Sequence, residues 1–303
     1  MVFFPQILFK PCFLQAVRIF GLFNIHTDYF KIGISKILYL SSTTSKKYLL
    51  TRRLDDLFTG FYNAYKFLAR FFRQAVQPPF EFREIIRQCY EVGYKSLPLI
   101  TLTGFVVGIV FTKQSRPSLI AFGATSWLPS LIAIAMIRAL APLVTALISA
   151  GKVGSNIGAE LGSMKVTEQI DAMEVSATDP FKFLVVTRVT ATTLMIPLLA
   201  MYCAFMGMMG SFLNIYQNEK TSFPSFISEA FAQISFLDIG TSVVKAVTFG
   251  FTIGIVGAYK GYHAGQGTQG VGKAANASVV LSMFLIFIEE MIIVQVSNWI
   301  RYY

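Results

Sequence analysis

Five long apolar runs set the pattern of the chain, at about residues 93–113, 119–150, 180–214, 237–262 and 275–300. Each reaches the roughly 20 residues that a helix needs to cross a bilayer at about 1.5 Å per residue. Lipid offers no partner to an unpaired backbone group, so the runs predict an all-α integral membrane protein with about five transmembrane helices. The second and third runs are longer than one crossing. Tilt or kinks are expected there, with Pro129, Pro142 and Pro197 as the candidate sites.

A polar island, Gly158–Pro180, separates the second and third runs and holds Glu160, Glu168, Asp171, Glu174 and Asp179. A charged, helix-forming insert between two spans has to stay in water. Its spacing predicts a helix over about 158–175. Glu160, Glu168 and Asp171 (i, i+8, i+11) then share one face, and Val166, Ile170 and Met173 (i, i+4, i+7) form another. Acid is offered to one neighbour and apolar surface to a second. Asp179-Pro180 reads as an N-cap followed by proline at the first helical position, opening the third span. Composition alone favours an ordinary solvated loop helix.

Upstream, residues 51–92 predict interfacial amphipathic helices. Leu54, Leu57, Phe58, Phe61, Tyr65, Leu68 and Phe72 recur at helical spacing opposite Lys66, Arg70 and Arg73. Pro78-Pro79 ends that stretch, and Glu81–Tyr94 runs on into the first span. Residues 1–50 are basic and apolar without a clean signal-peptide core, and stand as an N-terminal extension with a Ser/Thr linker at its end.

Composition supports the membrane reading: 54% of residues are hydrophobic and 14% charged, against about 25% charged in soluble domains. Lysine and arginine set the orientation. With the N-terminus inside, the inner segments hold twenty such residues, fourteen of them in residues 1–95, and the outer segments hold four: Lys113, Arg116, Lys220 and Arg301. This predicts a cytoplasmic N-terminus and a periplasmic C-terminus. The basic N-terminal segment is rich in Phe and Tyr and leads into a span, so anionic lipid, rather than nucleic acid, is its expected partner. Three cysteines without CxxC spacing and two histidines give no metal or redox centre.

Arg138, Lys245, Glu289 and Glu290 fall within spans, where each costs about 2.5–3.5 kcal/mol on insertion scales. Such groups face the protein interior and pair. Glu290 is expected to meet Lys245 or Arg138. Gly104-x-x-x-Gly108 and the series Gly250, Gly254, Gly257, Gly261 predict close helix packing. Gly267–Ala274 nearly spells a phosphate-binding loop, but Ala274 replaces the Mg²⁺-holding Ser/Thr and a span, not a strand, precedes it. At the outer side, Phe111 and Gln114 with Trp127, Leu128 and Leu131 supply the apolar and amphiphilic mix of a lipid cavity. No hydrolytic or redox motif is present, which points to a non-catalytic subunit.

The run AGKVGSNIGAELGSMKVTEQIDAMEVSATDPFKFLVVTRV, Ala150–Val189, closely resembles the signature of MlaE-type permeases, membrane subunits of ABC transporters that move phospholipid or related lipids between membranes. It matches at Ala150, Gly151, Gly154, Ser155, Ala159, Glu160, Gly162, Met164, Thr167, Glu168, Gln169, Asp179, Pro180 and Arg188. The likeness runs from about residue 50 to the C-terminus, with 93–303 as the permease domain. It implies that the island is a coupling helix seated on a cytoplasmic ABC ATPase, through Glu160, Met164, Lys165, Thr167, Glu168, Gln169 and Asp171. It further implies a homodimer, a periplasmic MCE-domain lipid-binding partner, a phospholipid substrate, no cofactor in this chain and ATP–Mg in the ATPase. The inner membrane is the location implied, with a plastid inner envelope ranked behind it. The chain departs from the pattern at Ala139, where the family has glutamate, at Lys152, where it has arginine, and at Glu290, where it has aspartate. Two other readings stay open: an ion-coupled secondary transporter using Lys245 and Glu290, and a non-transporting membrane scaffold.

Overall fold

The computed structural model describes residues 58–302. Contacts divide the chain into two units, Met1–Asn63 and Ala64–Tyr303. Of the first, residues 58–63 are described; they are helical, with Phe58 and Phe61 largely exposed. The predicted extension over 1–50, with Leu54 and Leu57 of the predicted stripe, lies outside the described residues.

In the second unit the described residues form helices and turns without strands. Helix α1 covers residues 64–76, and α2 (Phe82–Val92) leads through a 3₁₀ turn into α3 (Leu97–Ala121). The second crossing is a single long helix in three α pieces: α4 (Leu128–Ala135), α5 (Ala141–Ser149) and α6 (Ser155–Val166). Next come the short α7 (Gln169–Val175), then α8 (Thr187–Glu219), α9 (Phe223–Ala232), α10 (Phe236–Tyr262) and α11 (Gly267–Tyr302). Among the described residues, five helical stretches are long and apolar enough to cross a membrane: Phe82–Ala121, Thr125–Val166, Phe181–Glu219, Phe236–Tyr262 and Gly267–Arg301. They match the five predicted runs and extend beyond them through polar turns, except that residues 119–124, placed at the start of the second run, close the first crossing and the turn after it. The chain is a multi-pass membrane protein.

The second and third crossings are interrupted by π turns at Met136–Leu140, Ala150–Gly154 and Phe181–Val186. Such bulges insert a residue into the i→i−4 ladder and re-aim the helix. The first precedes Pro142, which has no N–H to give the carbonyl of Arg138 four residues back.

Close backbone approach explains the small residues. A Cβ on Gly108 would stand 1.9 Å from the carbonyl oxygen of Gly207, so α3 and α8 touch backbone to backbone. One on Gly254 would stand 2.2 Å from the Thr192 hydroxyl of α8. These glycines pack helices within one chain.

Three buried clusters stack along the bundle. At the polar-island end, Phe67, Phe71, Leu161, Ile170, Phe181 and Val189 come together; Phe249, Ile253 and Ile286 fill the middle. Ile100, Leu128, Ile132 and Phe226 close the opposite end. Helix α1 therefore carries two apolar faces. Phe67 sits edge-on to Phe181 at 4.9 Å and to Tyr259 at 5.2 Å, whereas Tyr65 and Phe72, from the predicted stripe, stay 70% and 56% exposed. Helix α9, not anticipated from the sequence, starts at a Ser222 cap and buries Phe226 and Ala230, and the Ser130 hydroxyl donates 2.6 Å to the Glu229 carbonyl.

Candidate functional site

The polar island is not one helix. The second crossing continues to Val166, Glu168 then adopts φ +58°, and α7 begins at Gln169 and ends before a second left-handed residue, Ala177. This corrects the predicted continuous helix over 158–175. A left-handed Glu168 costs of order 1 kcal/mol and turns the chain. Glu160, Glu168 and Asp171 therefore do not share a face.

Each of the predicted coupling residues takes a distinct place. Glu160, on α6, turns to Arg188 at the start of α8: its Oε1 accepts from Nη2 at 2.7 Å and its Oε2 from Nε at 3.4 Å. The guanidinium is 3% exposed and also donates to the Leu184 carbonyl at 2.9 Å. This fork ties the second crossing to the third. Lys165 meets Asp171 at 2.9 Å across the break. Met164 and Met173 pack against the cluster that buries Ile170. Thr167, Glu168, Gln169 and Glu174 remain exposed, and Val175 at the tip is 89% exposed. Asp179 caps the third crossing as predicted, accepting from the Phe181 N–H at 3.0 Å, and it also accepts from the Gln74 amide at 2.7 Å. Arg70 lies 3.7 Å from Asp179 and 4.3 Å over the Phe181 ring, so α1 is fastened to the same corner. The result is a short helix pinned underneath by apolar and ionic contacts, with an acidic and apolar upper surface.

The buried charges pair as expected for Glu290. Lys245, 2% exposed, donates to Glu290 Oε1 at 2.6 Å and to the Arg138 carbonyl at 3.2 Å, the one that Pro142 cannot serve. Arg138 itself points elsewhere: it donates to Asn298 Oδ1 at 2.7 Å and lies 3.9 Å from Asp238, which also bonds Arg301. With Ala139 in place of the family glutamate, Asp238 of α10 is the carboxylate nearest to this arginine. Glu289 accepts from the Thr252 hydroxyl.

The lipid-cavity candidates do not converge. Leu128 is fully buried beside Ile100 and Ile132, so it is core and not a cavity wall. Proline at the start of α4 and the packing of α9 over this segment turn it inward. Phe111 is half-buried against the same cluster; Gln114, Trp127 and Leu131 are exposed. A cavity of about 450 Å³ at this end is lined instead by Lys113, Arg116, Pro117, Ile120, Asn214 and Asn218. Sequence reasoning missed Asp238 and Asn298 as partners of Arg138, and Val175 as an exposed apolar tip; the Ser235-x-x-Asp238 capping box was the one legible signal among them.

The family profile described as Permease MlaE matches residues 85–296. The chain is 35% identical over 237 residues to a probable ABC transporter permease protein of Rickettsia prowazekii, covering 78% of this chain and 90% of that one. It is 36% identical over 211 residues to a probable ABC transporter permease protein of Synechocystis, covering 69% and 79%. It is 32% identical over 211 residues to the protein TRIGALACTOSYLDIACYLGLYCEROL 1, chloroplastic, of Arabidopsis thaliana, covering 70% and 60%. With its five crossings, the Glu160–Arg188 fork and this match over most of its length, the chain belongs to the MlaE permease family of ABC transporters.

Proposed function

We propose that this permease moves phospholipid or a related lipid between membranes, driven by a separate cytoplasmic ATPase that grips α7 and the turns flanking it. One observation supports the reading: α7 is held from below by Ile170 and Met173 in the buried cluster and by the Lys165–Asp171 pair, beside the Glu160–Arg188 fork that joins α6 to α8, and is open above at Glu168, Glu174 and Val175. A push on this surface is delivered through Glu160 and Arg188 to the second and third crossings together, rather than being lost in a loose loop. The permease makes and breaks no bond; ATP–Mg belongs to the partner. Supporting a lipid cargo, the Arabidopsis relative bears the name of a galactolipid, and many large apolar side chains of the described residues are exposed, as on a lipid-facing surface. A homodimer facing a periplasmic MCE-domain protein, in the inner membrane with the C-terminus outside, completes the assembly.

The test is co-purification from membranes. Glu168→Lys/Glu174→Lys reverses the exposed charges without touching the fork, and is expected to release the ATPase while the permease still inserts. Undiminished ATPase recovery with that variant refutes the coupling surface. Lipid transport that persists without any ATPase, but collapses with the proton gradient, would favour the ion-coupled alternative built on Lys245 and Glu290.

A further inference from the structure

A cavity of about 290 Å³ opens between α2 and the part of the second crossing where the π turn at Ala150–Gly154 passes into α6. Its floor is apolar, formed by the buried Val92, Val153 and Ile157. Arg87, Lys95 and Lys152 bring three cations to its walls, against Glu91 and Glu160. Both carboxylates are already engaged: Glu91 with Lys95 at 2.6 Å, and Glu160 with Arg188 outside the cavity at 2.7 Å. Lys152 donates only to the backbone carbonyl of Lys95, and among the described residues no carboxylate lies within 4.0 Å of its ammonium. Arg87 is 73% exposed and reaches Glu84 at a slack 3.5 Å. The cavity therefore has two cationic ends to spare. Beside it, Phe82, Ile86, Tyr90 and Tyr94, each four residues from the next, form an aromatic and aliphatic stripe that is 52–69% exposed. Tyr90 follows Arg87 by three residues, and Tyr94 follows Glu91 by three, so these two tyrosines flank the Arg87–Glu91 edge of the cavity and the stripe continues from them along α2.

We infer that this cavity holds the phosphodiester headgroup of an anionic lipid from the cytoplasmic leaflet, with its acyl chains lying along the Phe82–Tyr94 stripe. A spare ammonium and guanidinium suit a phosphate oxygen anion, and the roughly 30 Å³ of one water indicates room for a phosphodiester and its linking atoms. The adjoining apolar stripe selects a lipid over a free ion. Lys152 and Glu160 lie on one helix two turns apart, so an occupied cavity sits directly against the fork that anchors the island. The inference rests on the membrane orientation read from charge and not on coupling to an ATPase.

Native mass spectrometry of the purified full chain, without any ATPase, tests it with phosphatidylglycerol, phosphatidylcholine and inorganic phosphate as separate probes. Wild type is expected to retain phosphatidylglycerol in preference to phosphatidylcholine. Each removed cation should weaken retention roughly fivefold, from about 1 kcal/mol per basic residue at an anionic lipid surface. Arg87→Gln/Lys152→Gln should therefore lose about 25-fold, and Arg73→Gln, outside the cavity, should lose nothing. Asn156→Asp, which adds a negative charge to the exposed wall, supplies an independent variant and should lose about fivefold. Equal retention of phosphatidylglycerol by wild type, the double variant and Asn156→Asp overturns the inference. Displacement of phosphatidylglycerol by millimolar inorganic phosphate overturns the lipid assignment in favour of a free-anion site. Because no ATPase is present, failure here leaves the coupling proposal standing, and the reverse also holds.

Discussion

Replacing Glu290 with leucine isolates the buried pair that crosses the fourth and fifth spans. Lys245 is 2% exposed and has two acceptors, Glu290 at 2.6 Å and the Arg138 carbonyl at 3.2 Å. Without the carboxylate the ammonium keeps one backbone acceptor and no counter-charge. Breaking a buried pair in this way costs about 3–5 kcal/mol. At about 2–4 °C per kcal/mol for a domain of this size, Glu290→Leu should lower Tm by roughly 6–20 °C. Glu290 is 17% exposed against 2% for Lys245, so Lys245→Met strands the less completely enclosed charge and should cost less, about 1–3 kcal/mol. Lys245→Met/Glu290→Leu removes both charges and should return to within about 1 kcal/mol of wild type. Thermal unfolding of the purified protein in detergent reads all four corners of this cycle. These values set the coupling energy at about 3–9 kcal/mol, at or above the upper end of what contacting residues usually show. Additive losses in the double variant would show that the two groups do not sustain each other, and the reasoning would fail.

Other expectations follow from packing. Gly108→Ala drives a Cβ into the Gly207 backbone at 1.9 Å and should destabilise by about 1–3 kcal/mol or more, whereas Gly272→Ala, with nothing within 4 Å, should stabilise α11 by about 0.5–1 kcal/mol; equal Tm values for the two would contradict the α3–α8 contact. Phe67→Ala removes an aromatic side chain that is 7% exposed, worth about 3–5 kcal/mol, and should speed proteolysis after Lys66 and Arg70. An unchanged cleavage rate would mean that lipid alone holds α1.

The five crossings were legible because an apolar run of bilayer length has one cheap conformation in lipid, and the Lys245–Glu290 pair because a charge at membrane depth needs a partner. Asp179 as a cap was equally plain, since Asp-Pro has few other uses at a helix start. What the residues concealed was three-dimensional. Nothing about Glu168 announces a left-handed backbone, which tertiary packing of Ile170 and the Lys165–Asp171 pair imposes. Phe67 and Phe71 lie between the residues of a second apolar stripe on α1, so periodicity alone could not say which face meets protein. Arg138, in the π turn ahead of Pro142, meets Asp238 and Asn298, 100 and 160 residues away, rather than Glu290, a long-range pairing that no local pattern announces. Leu128 looked like a cavity wall only because α9, which covers that end, gave no strong periodic signal.

The docking of α7 onto a cytoplasmic motor is tested most directly by labelling Val175→Cys in a chain whose Cys12, Cys89 and Cys203 are replaced by serine. Val175 is 89% exposed, so a membrane-impermeant maleimide should reach it freely in inverted vesicles and not in right-side-out ones, and bound ATPase should block the reaction. Labelling from the periplasmic side, or labelling unaffected by the ATPase, would contradict the account.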